Sequence, residues 1–394
     1  MFRIGMKLLL ALGLGSVSVT AAMADSIKIG IIGPFSGPFS DAGGQYKRGI
    51  ELYLQKAGGK LGGQDVEIVY RDDGGGGAPR AQQLAVELMS NQKVQYLGGG
   101  YLTPNTVAVA SAITQAKIPY VIFNSNASDT LRKSPYFLRV ATTIQGLATQ
   151  NARFAIDQGK RKGVVFAVDF APGHDAIAAY TKSFTEGGGK IVDVIKVPLD
   201  ATDLSSYMQR VQDSSADALF TFVPNGPISI NLVRGFTERQ LRQKGMEYYG
   251  LGETEEAYLD SIGEAAIGMY STLHYGPFSP DSDTNREFVK AFKAKYGEKL
   301  LPGQFVAAAY DGMYLIEQMI EATRGKSDPE KAMAAAKGQK WESPRGPVMI
   351  DPVERDLIED AHVRQVRKVD GELRNIEVGV YKAIKDPWQL ANPQ

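Results

Sequence analysis

Short apolar strands alternate with helices along the chain from about residue 27 onward. The first half predicts strands at 27–32, 66–70, 94–97 and 120–123, with helices between them at 45–57, 79–90 and 103–116. Such alternation is typical of a mainly parallel sheet with helices on both faces and right-handed crossover connections. The sequence therefore predicts an α/β fold.

This pattern is interrupted near residues 139–145 and then starts again. Strands at 163–168, 191–197, 218–222 and 247–250 alternate with helices at 146–158, 176–186, 204–212 and 228–240. The tail predicts a strand at 268–273, two long helices at 284–296 and 305–324, and hairpin strands at 348–350, 363–369 and 377–384. The tail has too few strands for a third domain, so we expect it to complete two α/β lobes. The length of 394 residues fits two domains of ordinary size.

Residues 1–24 have the three parts of a secretory signal in the usual order. Two cations give a basic start, an apolar stretch follows to about Val19, and residues 22–24 have the small-x-small form of a cleavage site. A membrane anchor is the alternative, but the apolar stretch is shorter than the ~20 residues that a spanning helix needs. We therefore expect cleavage after Ala24 and export to the periplasm.

Charge balance and residue usage exclude several classes of function. Lys plus Arg and Asp plus Glu number 44 each, so no excess of positive charge indicates a nucleic-acid partner. The chain has no cysteine, which excludes disulfides, thiolate metal sites and a cysteine nucleophile. Its three histidines, His174, His274 and His362, are too few and too scattered for a histidine-built zinc site. We expect neither a metal nor a cofactor.

The common catalytic motifs are missing from the sequence. It contains no G-x-x-x-x-G-K-[ST] phosphate loop, no H-E-x-x-H zinc motif and no G-x-S-x-G nucleophile motif. The first strand is not followed by G-x-G-x-x-G, so a dinucleotide is not indicated. An exported α/β protein with no catalytic constellation is predicted to be a binding protein and not an enzyme.

The ends of the predicted strands are where a ligand is expected, because open α/β sheets bind ligands beyond the carboxyl ends of their strands. The residues that follow seven of the strands are rich in hydroxyl, amide and aromatic side chains and include no lysine or arginine. They lie at 33–39, 98–104, 124–128, 169–172, 224–226, 252–254 and 274–278. Thr103, which precedes Pro104, is interpreted as a helix N-cap that presents free N–H groups to an anion. This set suits a small organic carboxylate better than a polyphosphate, which usually needs arginine or lysine.

Five stretches of the chain resemble the periplasmic solute-binding proteins of ABC importers, in the branched-chain amino acid (Leu/Ile/Val-binding) group. They are IKIGIIGPFSGPFSDAGG at 27–44, QDVEIVYRDD at 64–73 with the helix after it, the segment 98–126, DFAPGHD at 169–175 and YDGMY at 310–314. Together they cover the mature chain in order. The resemblance implies a type I, Venus-flytrap fold: two Rossmann-like lobes joined by three hinge crossovers, with the ligand in the cleft between them.

The resemblance also implies where the lobes and the site lie. Lobe 1 is expected at 25–143 plus about 276–352, and lobe 2 at 144–275 plus about 353–394. Thr103 and the loop 124–126 match the positions that hold the ligand carboxylate, and Phe35 and Tyr101 are expected to line the pocket. The expected ligand-binding residues are Tyr101, Thr103, Asn124, Ser125, Asn126, Phe170, Asn225, Glu253, Tyr275 and Phe35.

The identity of the ligand depends on which residue follows the strand 247–250 into the cleft. Amino-acid binders of this family place an acid there to meet the ligand ammonium, and the matching position here is Gly252 or Glu253. Glu253 in the cleft predicts a branched-chain or other apolar amino acid. Gly252 in the cleft predicts a carboxylic acid without an ammonium group, and the aromatic loops then favour a benzoate-like or cinnamate-like acid. An amide is a further alternative.

The expected role is therefore capture of a small carboxylate and its delivery to an ABC permease and ATPase complex at the inner membrane. We expect a monomer that binds no nucleic acid. A sensor ectodomain and a secreted enzyme are the alternatives from other classes. The first needs a signalling domain or anchor, and the second would convert its ligand, where a binding protein returns it unchanged.

Overall fold

A computed structural model describes residues 1–2 and 26–393 of the chain. The predicted signal segment and its cleavage after Ala24 lie outside the described residues, apart from the first two positions. Within the described part of the chain, no helix is both long and apolar enough to cross a membrane.

The first half of the described chain alternates strands with helices, as the sequence predicts. In chain order its elements are β1 (Ile27–Gly33), α1 (Ser40–Lys56), β2 (Lys60–Leu61), β3 (Gln64–Asp72), α2 (Ala78–Ser90), β4 (Tyr96–Gly99), α3 (Thr103–Ala108), α4 (Ala110–Ala116), β5 (Tyr120–Ile122), β6 (Phe137–Arg139), α5 (Ile144–Asp157), β7 (Lys162–Val168), α6 (Ala171–Glu186) and β8 (Lys190–Val197).

The second half continues the alternation and ends in antiparallel strands. Its elements are α7 (Ser205–Asp213), β9 (Ala218–Phe222), α8 (Pro227–Glu238), β10 (Glu247–Gly250), α9 (Glu256–Ile262), β11 (Tyr270–Leu273), α10 (Asp283–Tyr296), α11 (Gln304–Thr323), α12 (Pro329–Ala336), β12 (Lys340–Ser343), β13 (Gly346–Ile350), β14 (Leu357–Val369), β15 (Glu372–Ile384) and α13 (Pro387–Ala391).

The strands form two sheets, each with a parallel centre. The first has the order β2-β3-β1-β4-β5-β6, and all its neighbours are parallel except the short β2. The second has the order β12-β13-β14-β11-β10-β9-β7-β8, with β15 beside β14, and is parallel from β11 to β8. Parallel neighbours put their carboxyl ends at one edge, so each sheet has one edge at which loops can meet a ligand.

The described chain passes between the two sheets three times. It leaves the first sheet after β6 and enters the second through α5 and β7. After β11 it returns, since α11 packs against α1 and its residues join the apolar core around the first sheet. The start of β14, at Leu357, belongs to that core, whereas Val366 of the same strand belongs to the core of the second sheet.

The observed elements differ from the predicted ones at three places. The strand β14 starts at Leu357, although its sequence predicts a strand only from 363. The prediction missed its start because Glu359, Asp360 and His362 are polar residues that are buried in the fold. The predicted single helix 103–116 is two helices, which meet at Val109. The short β6 was not predicted, and it ends at Arg139, where the predicted interruption begins.

Buried arginines hold together the segments that pass between the sheets. Arg345 is fully buried and donates to Asp311 of α11 at 2.8 Å, to Glu359 of β14 at 3.0 Å and to the carbonyl of Val140 at 2.8 Å. Arg139, also fully buried, donates through Nε to Asp356 at 2.9 Å. Ion pairs without access to water are sensitive to the loss of one partner, because the remaining charge is left buried alone.

Replacing Arg345 by alanine is expected to lower the free energy of unfolding by about 3–5 kcal/mol, because it leaves Asp311 and Glu359 buried without their counter-ion. Urea denaturation measures this. The matched control is Arg286→Ala, which removes an arginine whose ion pairs with Asp281 and Asp283 are exposed. The control should unfold like the unmodified protein. Equal stability of both variants would show that the buried pairs contribute nothing.

Candidate functional site

An internal cavity lies where the carboxyl ends of the two sheets face each other. The volume in which the centre of a water molecule can lie is about 50 Å³. One bound water needs ~10–15 Å³ of such volume, so the cavity has room for several. Its lining consists of Tyr101, Leu102, Thr103, Asn124, Asn126, Thr142, Ile144, Leu147, Phe170, Pro172, Phe222, Val223, Pro224, Asn225, Leu251, Gly252, Leu273, His274, Gln304 and Phe305. Among these described lining residues there is no Lys, Arg, Asp or Glu.

Six of the ten predicted site residues line this cavity: Tyr101, Thr103, Asn124, Asn126, Phe170 and Asn225. They come from both sheets, because each follows the carboxyl end of a parallel strand. Residues 101–103 follow β4 and 124–126 follow β5, whereas Phe170 follows β7 and Asn225 follows β9. The rule that parallel strand ends converge on one site therefore selected residues that the fold does bring together.

Thr103 lies at the cavity but does not cap a helix. The residue at the N-cap position is Leu102, so the backbone of Thr103 already belongs to the first turn of α3. The N-cap interpretation was therefore wrong. The Thr103 hydroxyl is buried and has no hydrogen-bond partner among the described residues. An unpaired buried hydroxyl at a cavity wall is a group that a ligand can satisfy.

Asn124 and Asn126 reach the cavity, whereas Ser125 between them does not line it. Asn124 donates from Nδ2 to the carbonyl of Tyr101 at 2.9 Å, which fixes its amide beside the β4 loop. The Ser125 side chain points inward to the hydroxyl of Thr106, and its carbonyl accepts from Arg139 at 2.9 Å. Ser125 has a positive φ of 39°, which turns its neighbours to the cavity side. Its place in the structure is that of a support for the loop.

Aromatic rings form two walls of the cavity. Phe170 and Phe222 are parallel to within 3°, with ring centroids 6.0 Å apart. Tyr101 and Phe305 meet edge to face at 5.4 Å. Flat apolar walls of this kind suit an aromatic ring, since aromatic groups associate by offset stacking and edge-to-face contact.

The structure places Gly252, and not Glu253, at the cavity. The carboxylate of Glu253 is fully buried and accepts from the backbone N–H of Leu251 at 2.7 Å and of Val223 at 3.2 Å. Burial is the main cause that raises its pKa to about 7. The acid of the loop after β10 thus accepts from its own loop and from the residue that follows β9, where two N–H groups need an acceptor. Glu253 does not join the six residues above.

A second buried acid lies behind the cavity wall. Glu255 accepts from the backbone N–H of Gln304, at the start of α11, and from Nε2 of Gln304 and Nδ2 of Asn225, both at 3.3 Å. A carboxylate at a helix N-terminus is favoured by the helix dipole, although burial raises the pKa of Glu255 to about 7. The result is that Glu255 orients two side-chain amides that line the cavity.

Two aromatic predictions lie elsewhere in the fold. Tyr275 is fully buried against Phe288 in a separate apolar cluster. Phe35 packs edge to face on Tyr70 at 5.4 Å and lies under the ammonium group of Lys47. Neither ring lines the cavity.

Sequence reasoning missed several residues of the cavity wall. His274, directly after β11, lines the cavity in place of the neighbouring Tyr275. Gln304 and Phe305 begin α11 and reach the site only because that helix returns to the first sheet. His274 could have been predicted, since it is the first residue after a parallel strand. No local sequence pattern could have predicted that Gln304 and Phe305 reach the cavity. Within the described part of the chain, no group of three or more His, Asp or Glu side chains could hold a metal ion.

The chain is similar over nearly its whole length to known binding proteins. The family described as "Periplasmic binding protein" matches residues 26–372. Leu/Ile/Val-binding protein homolog 6 of Brucella melitensis is 40% identical over 381 residues, which make up 96% of this chain and 97% of that relative. The chain therefore belongs to the periplasmic binding protein family, and the resemblance stated from the sequence is confirmed.

Solved structures of solute-binding proteins of ABC transporters have the same fold. One from Rhodopseudomonas palustris HaA2, in complex with p-hydroxybenzoic acid, is 42% identical with a TM-score of 0.90 and covers 93% of this chain and 100% of its own. Another from Rhodopseudomonas palustris BisB5, in complex with 3,4-dihydroxybenzoic acid, is 38% identical with a TM-score of 0.88 at the same coverage. The predicted two-lobe α/β class is therefore confirmed.

Glu253 is expected to make the folded protein less stable as the pH rises from about 4 to 8. Burial raises its folded pKa to about 7, above the ~4.3 of an unfolded glutamate. The folded state therefore keeps a proton that the unfolded state has lost, and this stability, complete below ~4.3, disappears as the pH rises through 7. Glu253→Gln removes this titration. The free energy of unfolding of the variant, relative to that of the unmodified protein, should therefore rise by on the order of 3 kcal/mol between pH 4 and 8.

Urea denaturation at a series of pH values measures the difference between the two proteins. Glu298→Gln is the matched control, because Glu298 is exposed in the fold and its replacement should leave the pH profile of stability unchanged. A difference between Glu253→Gln and the unmodified protein that stays constant with pH would mean that Glu253 titrates like a carboxyl group in water.

Proposed function

We propose that this protein is the solute-binding component of an ABC importer and that it captures a small aromatic carboxylate, of the benzoate class, in the cavity between its lobes. The observation that carries the proposal is the loop after β10, which presents Gly252 to the cavity and keeps the carboxylate of Glu253 on backbone N–H groups. The ligand then passes unchanged to a permease and ATPase complex at the inner membrane.

The charge of the cavity argues against an amino acid. An ammonium group buried there would meet no acid among the described lining residues. Taking an ion out of water without a partner is costly. Glu255, behind the wall, already accepts hydrogen bonds from Gln304 and Asn225. A ligand without an ammonium group avoids this cost.

The shape of the cavity fits a ring. The parallel pair Phe170 and Phe222 and the edge-to-face pair Tyr101 and Phe305 offer flat apolar surface from both lobes. We place the carboxylate of the ligand at the unpaired hydroxyl of Thr103, beside the amide side chains of the 124–126 loop. Neutral hydrogen-bond donors are sufficient to hold a carboxylate when several converge on it.

A branched-chain amino acid is the second candidate. The name of the Brucella relative, a Leu/Ile/Val-binding protein homolog, supports it. The solved structures of 38% and 42% identity support the aromatic acid, since each holds a hydroxylated benzoic acid. The geometry after β10 distinguishes the two candidates and favours the aromatic acid.

We also propose that the lobes comprise 25–143 with about 276–352, and 144–275 with about 353–394, and that they close on the ligand. Hinge closure is the established motion of this class of protein. Contacts across the cleft support a closed form here: Tyr258 donates to Asp41 at 3.0 Å, and the backbone N–H of Ser128 donates to Asp175 at 2.8 Å. Closure of this kind presents one conformer of a monomer to the permease.

Isothermal titration calorimetry of the mature chain, from Asp25, tests the ligand class. We expect heat of binding with benzoate or 4-hydroxybenzoate and none with leucine or valine, because the cavity has no acid for an ammonium group. Cyclohexanecarboxylate is a matched control that keeps the carboxylate but lacks the flat ring, and it should bind more weakly than benzoate. Binding of leucine but not benzoate would reverse the proposal in favour of the second candidate.

Thr103→Val is expected to weaken the binding of the aromatic acid by about 5- to 150-fold, which corresponds to ~1–3 kcal/mol for a lost buried hydrogen bond. Valine keeps the shape of the side chain but not its hydroxyl, which is the group left unpaired at the cavity. Thr103→Ser, which retains the hydroxyl, is the control and should bind within a few-fold of the unmodified protein. If calorimetry gives the same affinity for the valine variant, Thr103 does not contact the ligand.

A further inference from the structure

Three neighbouring strands of the second sheet each send one residue into the cavity. Asn225 follows β9, Gly252 follows β10 and His274 follows β11, and these strands are adjacent in the sheet. Adjacent strands are ~4.8 Å apart, so the outer two residues stand on backbones separated by about 10 Å. The middle residue has no side chain. Gly252 therefore separates two polar side chains that line the same cavity.

Neutral amide groups lie over Gly252. A Cβ atom added there would lie 3.1 Å from Nε2 of Gln304 and 3.2 Å from Oδ1 of Asn225. These separations are tighter than ordinary van der Waals contact, so a side chain at this position would displace both amides. Glycine at this position therefore lets the amides of Gln304 and Asn225 form this part of the cavity wall.

The orientation of the Asn225 amide is fixed from behind. Its Nδ2 donates to the carbonyl of Gly252 at 2.8 Å and to Glu255 at 3.3 Å. An asparagine amide has two N–H donors, and both are used by these acceptors. Its Oδ1 is therefore an acceptor on the cavity side. An acceptor in this place attracts a ligand group that donates a hydrogen bond, and it repels a carboxylate.

His274, on the other side of Gly252 from Asn225, is 4% exposed, and neither ring nitrogen has a hydrogen-bond partner among the described residues. Burial, together with the charges of Arg345 and Arg364, lowers the pKa of its imidazole, so the ring is neutral. A neutral imidazole has one N–H and one bare nitrogen. A hydroxyl group can pair with either nitrogen, whereas a carboxylate can pair only with the N–H.

We infer that Asn225 and His274 form a subsite for a hydroxyl group on the ring of the ligand, which lies between their side chains. The hydroxyl donates to Oδ1 of Asn225 and accepts from the His274 N–H. The protein then selects hydroxylated benzoic acids over unsubstituted benzoate. This inference rests on the proposed function, because it takes the ligand to be an aromatic carboxylate.

The experiment is calorimetry with benzoate and 4-hydroxybenzoate on the unmodified mature protein and on His274→Phe. Phenylalanine keeps a flat ring but removes both nitrogens. We expect the unmodified protein to bind 4-hydroxybenzoate at least about 10-fold more tightly than benzoate, because a site built to bond a hydroxyl rejects the analogue without it. His274→Phe should bind the two acids within about 3-fold of each other.

Phe222→Leu is the matched control, because Phe222 lines the same cavity without a polar atom. It should weaken both acids by a similar factor and leave their ratio unchanged. If the unmodified protein binds neither acid, the proposed function fails. If it binds both equally, or if His274→Phe keeps the preference, the function stands and the subsite is wrong. A loss in His274→Phe that is equal for both acids would place His274 at the carboxylate or the ring and overturn the inference.

A measurement on the unmodified protein keeps the inference testable if His274→Phe does not fold. The chain has three histidines, so a nitrogen NMR spectrum of their rings contains few signals. Adding 4-hydroxybenzoate should shift the ring nitrogens of one neutral histidine, and benzoate should shift them much less. Equal shifts with the two acids would contradict the subsite. So would the absence of any shift when the acids are bound.

Discussion

The buried guanidinium of Arg345 holds the point at which the chain passes between its two sheets. It joins α11, β14 and the segment after β6 through Asp311, Glu359 and the carbonyl of Val140. Those three pieces are remote in sequence, and a fully buried arginine is stable only when each of its charged contacts is kept. This arrangement holds together the segments through which the chain passes from one sheet to the other. The cavity depends on it, because the carboxyl ends of both sheets have to face each other.

The facing sheet edges determine the chemistry of the cavity. Each parallel strand contributes the first residues after its end, so the site is assembled from loops that need not be alike. In this chain those loops supply hydroxyl, amide, imidazole and aromatic groups, and the two nearest acids are turned away. Glu253 accepts from backbone N–H groups, and Glu255 accepts from Asn225 and Gln304. The acids thus shape the wall and leave its inner surface uncharged.

Local sequence patterns were sufficient for most elements, and six of the ten predicted site residues line the cavity. The strand ends after β4, β5, β7 and β9 were recognised because apolar runs, glycine and proline mark where those strands stop. The approach failed where one residue decides the direction of a side chain. Tyr275 and His274 are neighbours in the segment that follows β11, and only the latter faces the cavity. It failed again at Phe305, which lies 32 residues after the end of the predicted strand 268–273.

By itself the sequence determined the α/β class, the two repeated units and the family, because hydrophobic periodicity and loop motifs are local properties of the chain. Only the tertiary structure decided between Gly252 and Glu253. The two alternatives differ by one position in a short loop, and nothing local separates them. The choice follows from the backbone N–H groups of Val223 and Leu251, which need an acceptor and find it in Glu253 once β9 and β10 lie side by side.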